Sequence, residues 1–424
     1  MPMLAKIVKV EGKEEKGINM IFSLALIFLF GLIMSAVCKK FKLPGIIGMM
    51  VTGIILGPFV LNLLEDPILD ISKDLRQIAL IIILIKAGLS LDIDVLKRVG
   101  RPALLMSFVP ATFEICGYVI LAPLLLPISI KEAALLGSVI AAVSPAVVVP
   151  RMVNLMEKGY GTKEGIPQII TAGSSCDDIF VIVLFTAFLG SVKDNNLSLA
   201  SLIDVPISVV LGAIVGALSG IVLIFVFEYF YNQGKHIRNS VKVIIILSVS
   251  FLLVSLEKSL EDYVALSGLL AVITMSAILK SKGSIIVTRR LSEKFGKLWL
   301  AAELLLFVLV GAAVDIRYTL ATGLPAIILI LLCLIFRGVG VFVALLGTKL
   351  NKKERIFCIM SYMPKATVQA AIGSVPLAAG LPCGQTILSV AVLAILITAP
   401  IGAILIDTNY KKLLKKEDFN EELC

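Results

Sequence analysis

Asp177 and Asp178 stand side by side in a stretch, TAGSSCDDIFVIVLF, that is otherwise built of small and apolar residues. Glu114, Arg337 and Lys365 lie just as far inside apolar runs. Ionised groups in such runs are costly, face partners or water rather than lipid, and mark function by default. Here the acids outnumber the bases by one. A surplus buried carboxylate takes up a proton, binds a metal cation, or stays a charge whose desolvation costs about several kcal/mol. Proton and cation are then rivals for one site. Exposed to each side of a membrane in turn, such a site exchanges one for the other.

Residues adjacent in a helix point about 100° apart, so Asp177 and Asp178 need not share a proton. One can face Lys365 while the other faces the cation. Ser144, just before Pro145, offers a hydroxyl, and backbone carbonyls freed by helix breaks suit a hard ion such as Na+ or Li+. Glu114 and Arg337 are expected to pair with each other. Lys86 and Glu303 also fall inside apolar runs but near their ends, where long side chains reach the interface, and they are read as structural.

The elements that hold these residues follow from composition. The chain has 424 residues, 16% of them charged against about 25% in soluble domains, 58% apolar, and a mean hydropathy of +1.02. That excludes an ordinary water-soluble enzyme. The apolar residues fall in runs of roughly 20, the length of a bilayer crossing. Thirteen spans are expected, at about 18–38, 43–63, 75–92, 102–126, 132–155, 166–192, 204–230, 240–256, 262–279, 296–315, 321–348, 354–379 and 385–407.

The formal charge of +9 is distributed as membrane topology requires. Counting a residue within about four positions of a span end with the adjoining connection, 26 of the 39 Lys and Arg lie after odd-numbered spans and 10 elsewhere; Lys86, Arg337 and Lys365 are deeper inside spans. Positive residues stay on the cytoplasmic side, which places the N-terminus outside and the C-terminus in the cytoplasm. No aromatic stacking pattern accompanies the basic residues, so no nucleic-acid partner is expected. The 7 cysteines are scattered without disulfide or metal-ligand spacing. The first apolar run lacks a small-residue cleavage site and is expected to be retained.

Thirteen divides into six, one and six, and an odd connecting helix gives the two halves opposite orientation. The fold class is thus an all-α polytopic membrane protein of two inverted six-helix repeats. The plan relates span 5 to span 12, and both look broken in the middle. Span 5 reads AAVSPAVVVPRM with Pro145 and Pro150; span 12 reads SYMPKATVQAAIGSVPLAAG with Pro364, Gly373 and Pro376. Proline often merely kinks a membrane helix. In paired positions it points instead to discontinuous helices around a midplane site. Gly212, Gly216 and Gly220 in span 7 form a close-packing face, equally suited to a neighbour in the same chain or to a second copy.

Other chemistries fit less well. An intramembrane aspartyl protease needs two aspartates from separate helices facing one another across a water. A serine or metal hydrolase would need a histidine, and His236 falls in a cytoplasmic connection. No enzyme is expected. A sodium-coupled symporter of an organic anion on the same repeat plan is the alternative transporter.

Five segments resemble the monovalent cation:proton antiporters, specifically the paired-aspartate sodium/proton antiporters that include the animal mitochondrial-type ones. They are KLPGIIGMMVTGIILGP (42–58), IKAGLSLD (85–92), AAVSPAVVVPRM (141–152), TAGSSCDDIF (171–180) and MPKATVQAAIGS (363–374). The resemblance implies Na+(Li+)/H+ exchange without a cofactor, in a plasma membrane, by a homodimer whose core slides against a dimerisation domain. It assigns residues 18–92 and 240–315 to dimerisation, 100–192 and 321–407 to the core, 204–230 to a linker, and 1–17 and 408–424 to tails. It makes Asp178 the principal cation and proton carrier, keeps Asp177 with it in the Na+ or Li+ site, pairs Asp177 with Lys365, and supports the Glu114–Arg337 pair. The family's Thr-Asp-containing break reads Ser144-Pro145 here.

Overall fold

The computed structural model describes residues 16–41, 43–90, 99–193, 199–235, 237–260 and 266–416. Residues 1–15 and 417–424 of the expected tails, and His236, lie outside them. The described residues are helical, apart from loops and one isolated antiparallel bridge between Tyr160 and Lys416. In chain order the helices are α1 (Lys16–Lys40), α2 (Gly45–Leu56), α3 (Asp66–Asp70), α4 (Ser72–Ser90), α5 (Arg101–Met106) and α6 (Val109–Leu125). Then come α7 (Ile130–Ile140), α8 (Pro145–Glu157), α9 (Ile166–Lys193), α10 (Leu199–Asn232), α11 (Asn239–Leu260) and α12 (Gly268–Lys282). The last are α13 (Ile285–Ala312), α14 (Ile316–Ala344), α15 (Lys352–Ser361), α16 (Thr367–Gly373), α17 (Val375–Ala378) and α18 (Gly384–Leu413).

Within the described residues each of the thirteen expected spans falls on helix, while 91–92 and 262–265, at the edges of two of them, lie outside. Among the described residues, 9 helical stretches are long and apolar enough to cross a membrane. The other four expected spans fall on α2, on α4 with its flanking charges, on the 15-residue α12, and on the broken α15–α16 segment. Helix starts at the loops carry their own signals. Ser129 and Glu132 form a capping box on α7, Asn351 and Glu354 one on α15, and Asp315 caps α14 through the amides of Arg317 and Tyr318.

Helices pack in two groups. α2 and α4 lie against α13, with α1 on α2 and α12 on α4; α6 lies against α14 and α7, and α9 against α7, α8 and α5, with α14, α15 and α16 closing on α18. The far end of α18 is tied to the α8–α9 turn. Arg151 pairs with Asp407 at 3.2 Å, the rings of Tyr160 and Tyr410 meet edge to face at 4.9 Å, and the Gly161 amide donates to the Lys415 carbonyl at 2.9 Å.

The glycine face of α10 is used within the chain, against α12. A Cβ on Gly212 would stand 2.6 Å from the Ser267 carbonyl oxygen, one on Gly220 2.8 Å from that of Met275, and one on Gly216 would collide with that of Ala271. The backbones approach because no side chain intervenes, the small-residue mode of membrane helix packing. Gly216→Leu should therefore cost about 1–3 kcal/mol or more by overpacking. Purified protein with an unchanged unfolding midpoint would show the contact to be slack.

Candidate functional site

The site is built where two interrupted helices cross. α7 stops at Ile140 and α8 starts at Pro145, leaving Ala141–Ser144 without helix; α15 stops at Ser361 and α16 starts at Thr367, leaving Tyr362–Ala366 between them. Local chemistry explains each interruption. Proline disfavours helical backbone in the residue before it, and Ser144, ahead of Pro145, is extended at φ −88° and ψ 106°. Pro145 then occupies the first helical position, where its missing amide hydrogen costs nothing. Pro364 lies inside the second break, three residues ahead of Thr367, where α16 starts.

Backbone groups released by one break are bonded to the other. The Ser144 amide donates to the Pro364 carbonyl at 2.8 Å. The Gln369 side-chain amide donates to the Ile140 and Ala142 carbonyls at 2.9 and 2.7 Å, while its oxygen accepts from the Ala366 amide at 2.8 Å. Arg337 donates to the carbonyls of Ala141 and, at 2.5 Å, Tyr362; Lys365 also reaches Ala141, at 3.3 Å. This corrects the expectation that the breaks would offer these carbonyls to the cation. Arg337, Lys365 and Gln369 present donors on several sides, and those that do not meet a carboxylate take the carbonyls, while Glu114 Oε1 and Asp177 Oδ1 have no partner.

The charges gather at this crossing with one of the two expected pairs present and the other absent. Glu114 of α6, Asp177 of α9, Arg337 of α14 and Lys365 are all within 1% of complete burial. Arg337 Nη1 lies 2.7 Å from Glu114 Oε2, and its Nη2 lies 3.1 Å from Asp177 Oδ2. Lys365 Nζ lies 2.5 Å from the same Glu114 oxygen. The Glu114–Arg337 pair is present; Asp177 is bonded to Arg337 and not to Lys365. The planar guanidinium fork spans two carboxylates, whereas an ammonium is a point charge that settles on the nearer one. The Val143 amide donates to Asp177 Oδ2 at 2.7 Å, fixing this aspartate to the first break.

Asp178 is the acid left over. It takes part in no ion pair among the described residues, its Oδ1 has no hydrogen-bond partner, and it retains 9% of its exposure where Asp177 retains none. Adjacent helical positions produce that difference: one side chain turns into the charge network, the next turns about 100° away. Ser144 is wholly buried and its hydroxyl is likewise without a partner. Ser144 and Asp178 directly follow the two residues of the Val143–Asp177 bond, and each carries an oxygen without a partner, as do Asp177 at Oδ1 and Glu114 at Oε1. An alkali ion needs such oxygens, and so does a proton.

Three residues at the site escaped reasoning based on charge: Gln369, Tyr362, whose ring centroid lies 5.5 Å from the Arg337 guanidinium carbon, and Thr398, whose hydroxyl accepts the Lys365 amide at 2.9 Å. An uncharged amide in an apolar run was the available signal for Gln369. Lys86 stands apart, its ammonium 5.6 Å from the Trp299 ring and within electrostatic reach of Glu303.

Residues 23–408 match the model of the family "Sodium/hydrogen exchanger, transmembrane". The chain is similar to sodium/hydrogen exchanger 9B2 of Homo sapiens, 35% identical over 390 residues that cover 88% of this chain and 70% of that protein. Sodium/hydrogen exchanger 9B1 of Homo sapiens is 32% identical over 428 residues, covering 96% of this chain and 80% of that one. The fold is similar to that of the sodium proton antiporter MjNhaP1 from Methanocaldococcus jannaschii at pH 8, with a TM-score of 0.78 and 22% identity, covering 93% of this chain and 98% of that one.

Proposed function

This chain belongs to the transmembrane sodium/hydrogen exchanger family and is a multi-pass membrane Na+/H+ antiporter, and we propose that Asp178 carries the cation and the proton by turns. One observation supports that assignment above the others: of the five charges at the crossing, Asp178 alone has no oppositely charged partner among the described residues. Ser144 supplies a second oxygen to Na+ or Li+. Asp177 contributes its field while bonded to Arg337, and Glu114, Arg337 and Lys365 form the rigid frame against which the site is held.

The two helix groups suggest the division of labour. α1–α4 with α11–α13 form a dimerisation domain and α5–α9 with α14–α18 a core that slides against it, in a homodimer in the plasma membrane with the N-terminus outside and the C-terminus in the cytoplasm. Family membership favours exchange over the symport of an organic anion. The site agrees, since both bases are already engaged by carboxylates and neither is left to hold an organic one.

Purified protein in liposomes with an imposed pH difference and a trapped pH dye tests this function. Added Na+ or Li+ should collapse the pH difference without any organic co-substrate. No response to either ion, or a response only with an organic anion present, overturns it.

A further inference from the structure

Gln369 occupies the third position of α16, and its side-chain oxygen turns back to the Ala366 amide, satisfying a donor that the helix start leaves open. Its two amide hydrogens go to the Ile140 and Ala142 carbonyls, which the end of α7 leaves open. One buried, uncharged side chain thus caps the start of one half-helix and the end of another. All three of these bonds are at or under 2.9 Å, and Gln369 is 0% exposed.

The repeat relation makes this arrangement one-sided. α8 starts after Ser144 as α16 starts after Ala366, so the position answering to Gln369 is Val147, an apolar residue with no side-chain donor. The crossing is tied by a side chain at α16 and not at α8. At α8 the Ser144 hydroxyl stays unbonded.

We propose that Gln369 is a positioning residue for the exchange reaction: it holds the two breaks in register and withholds the Ile140 and Ala142 carbonyls from the cation, leaving the ion to Asp178 and Ser144. The inference rests on the reading of Asp178 as the carrier. A charged side chain could not take this place without altering the balance of acids and bases set by Glu114, Asp177, Asp178, Arg337 and Lys365. The amide supplies donors and an acceptor and leaves that balance alone.

The test measures Na+-driven proton flux in liposomes for Gln369→Ala and Gln369→Glu against the unaltered protein, with the apparent KM for Na+ read separately from the saturating rate. Loss of register displaces oxygens at the ion site, so KM should rise on the order of tenfold in both variants, with the saturating rate within about threefold. Ala removes all three bonds without adding a charge, whereas Glu keeps the volume and the bond to Ala366 but loses both donors and adds an acid, so a rise in KM shared by the two reports the lost carbonyl contacts. An unchanged KM, or a fall in saturating rate alone, overturns the proposal. Failure of both variants to fold assigns Gln369 to folding only and overturns it as well. A wrong carrier assignment shows itself differently, as exchange that survives in Asp178→Asn whatever KM the Gln369 variants have.

Discussion

Asp178→Asn should abolish Na+-dependent proton flux, by at least on the order of 100-fold, while the protein folds as before. A neutral amide neither takes up the proton nor supplies the countercharge for an alkali ion, and in a low-dielectric site each of those interactions is worth about several kcal/mol. Stability should move the other way. Asp178 has no ionic partner to lose, and removing an unpaired buried charge removes a desolvation cost, so the unfolding midpoint should hold or rise. Flux measured in liposomes alongside the unfolding midpoint separates the two effects. Undiminished Na+-dependent flux in the variant would end the carrier assignment.

Glu114→Gln should instead strike stability. Glu114 Oε2 is shared by Arg337 Nη1 and Lys365 Nζ, and the variant leaves Lys365 buried with no carboxylate in contact. Breaking a buried pair from one side costs about 3–5 kcal/mol. A simple two-residue pair would predict that reversing both charges, Glu114→Arg with Arg337→Glu, restores the fold. The geometry predicts the opposite. An arginine at 114 would face Lys365, and a glutamate at 337 would face Asp177, so two of the three favourable contacts become like-charge ones and only that between 114 and 337 stays favourable. The double reversal should be no more stable than either single change, measured by the yield and unfolding midpoint of purified protein. Full rescue would mean that Glu114 and Arg337 form a closed pair.

The fold was legible because lipid leaves few options. Length of apolar run, alternation of basic residues and the matched prolines of spans 5 and 12 each follow from satisfying a backbone without water. The charges that gather at the crossing were legible for the same reason: at that depth they stand out against their neighbours. What pattern could not supply was the wiring. Nothing in the types of Asp177, Lys365, Glu114 and Arg337 says which acid an ammonium reaches first, because that depends on where α6 stands relative to α16. Gln369 was hidden by its lack of charge, and its importance emerges only when the orphan carbonyls of α7 are traced to their partners. The glycines of α10 were visible as a packing face, but only tertiary contact with α12 identifies what they pack against.

The unpaired state of Asp178 also bears on why such a carrier does not idle. In an alternating-access cycle an unloaded protein would have to take a bare anion across the lipid, at a cost of about several kcal/mol with nothing to offset it. Occupied by Na+ or by H+, the same group crosses without net charge of its own. With Asp178 as the proposed carrier, slippage would be suppressed electrostatically, and one gradient would not run down without the other ion travelling the opposite way.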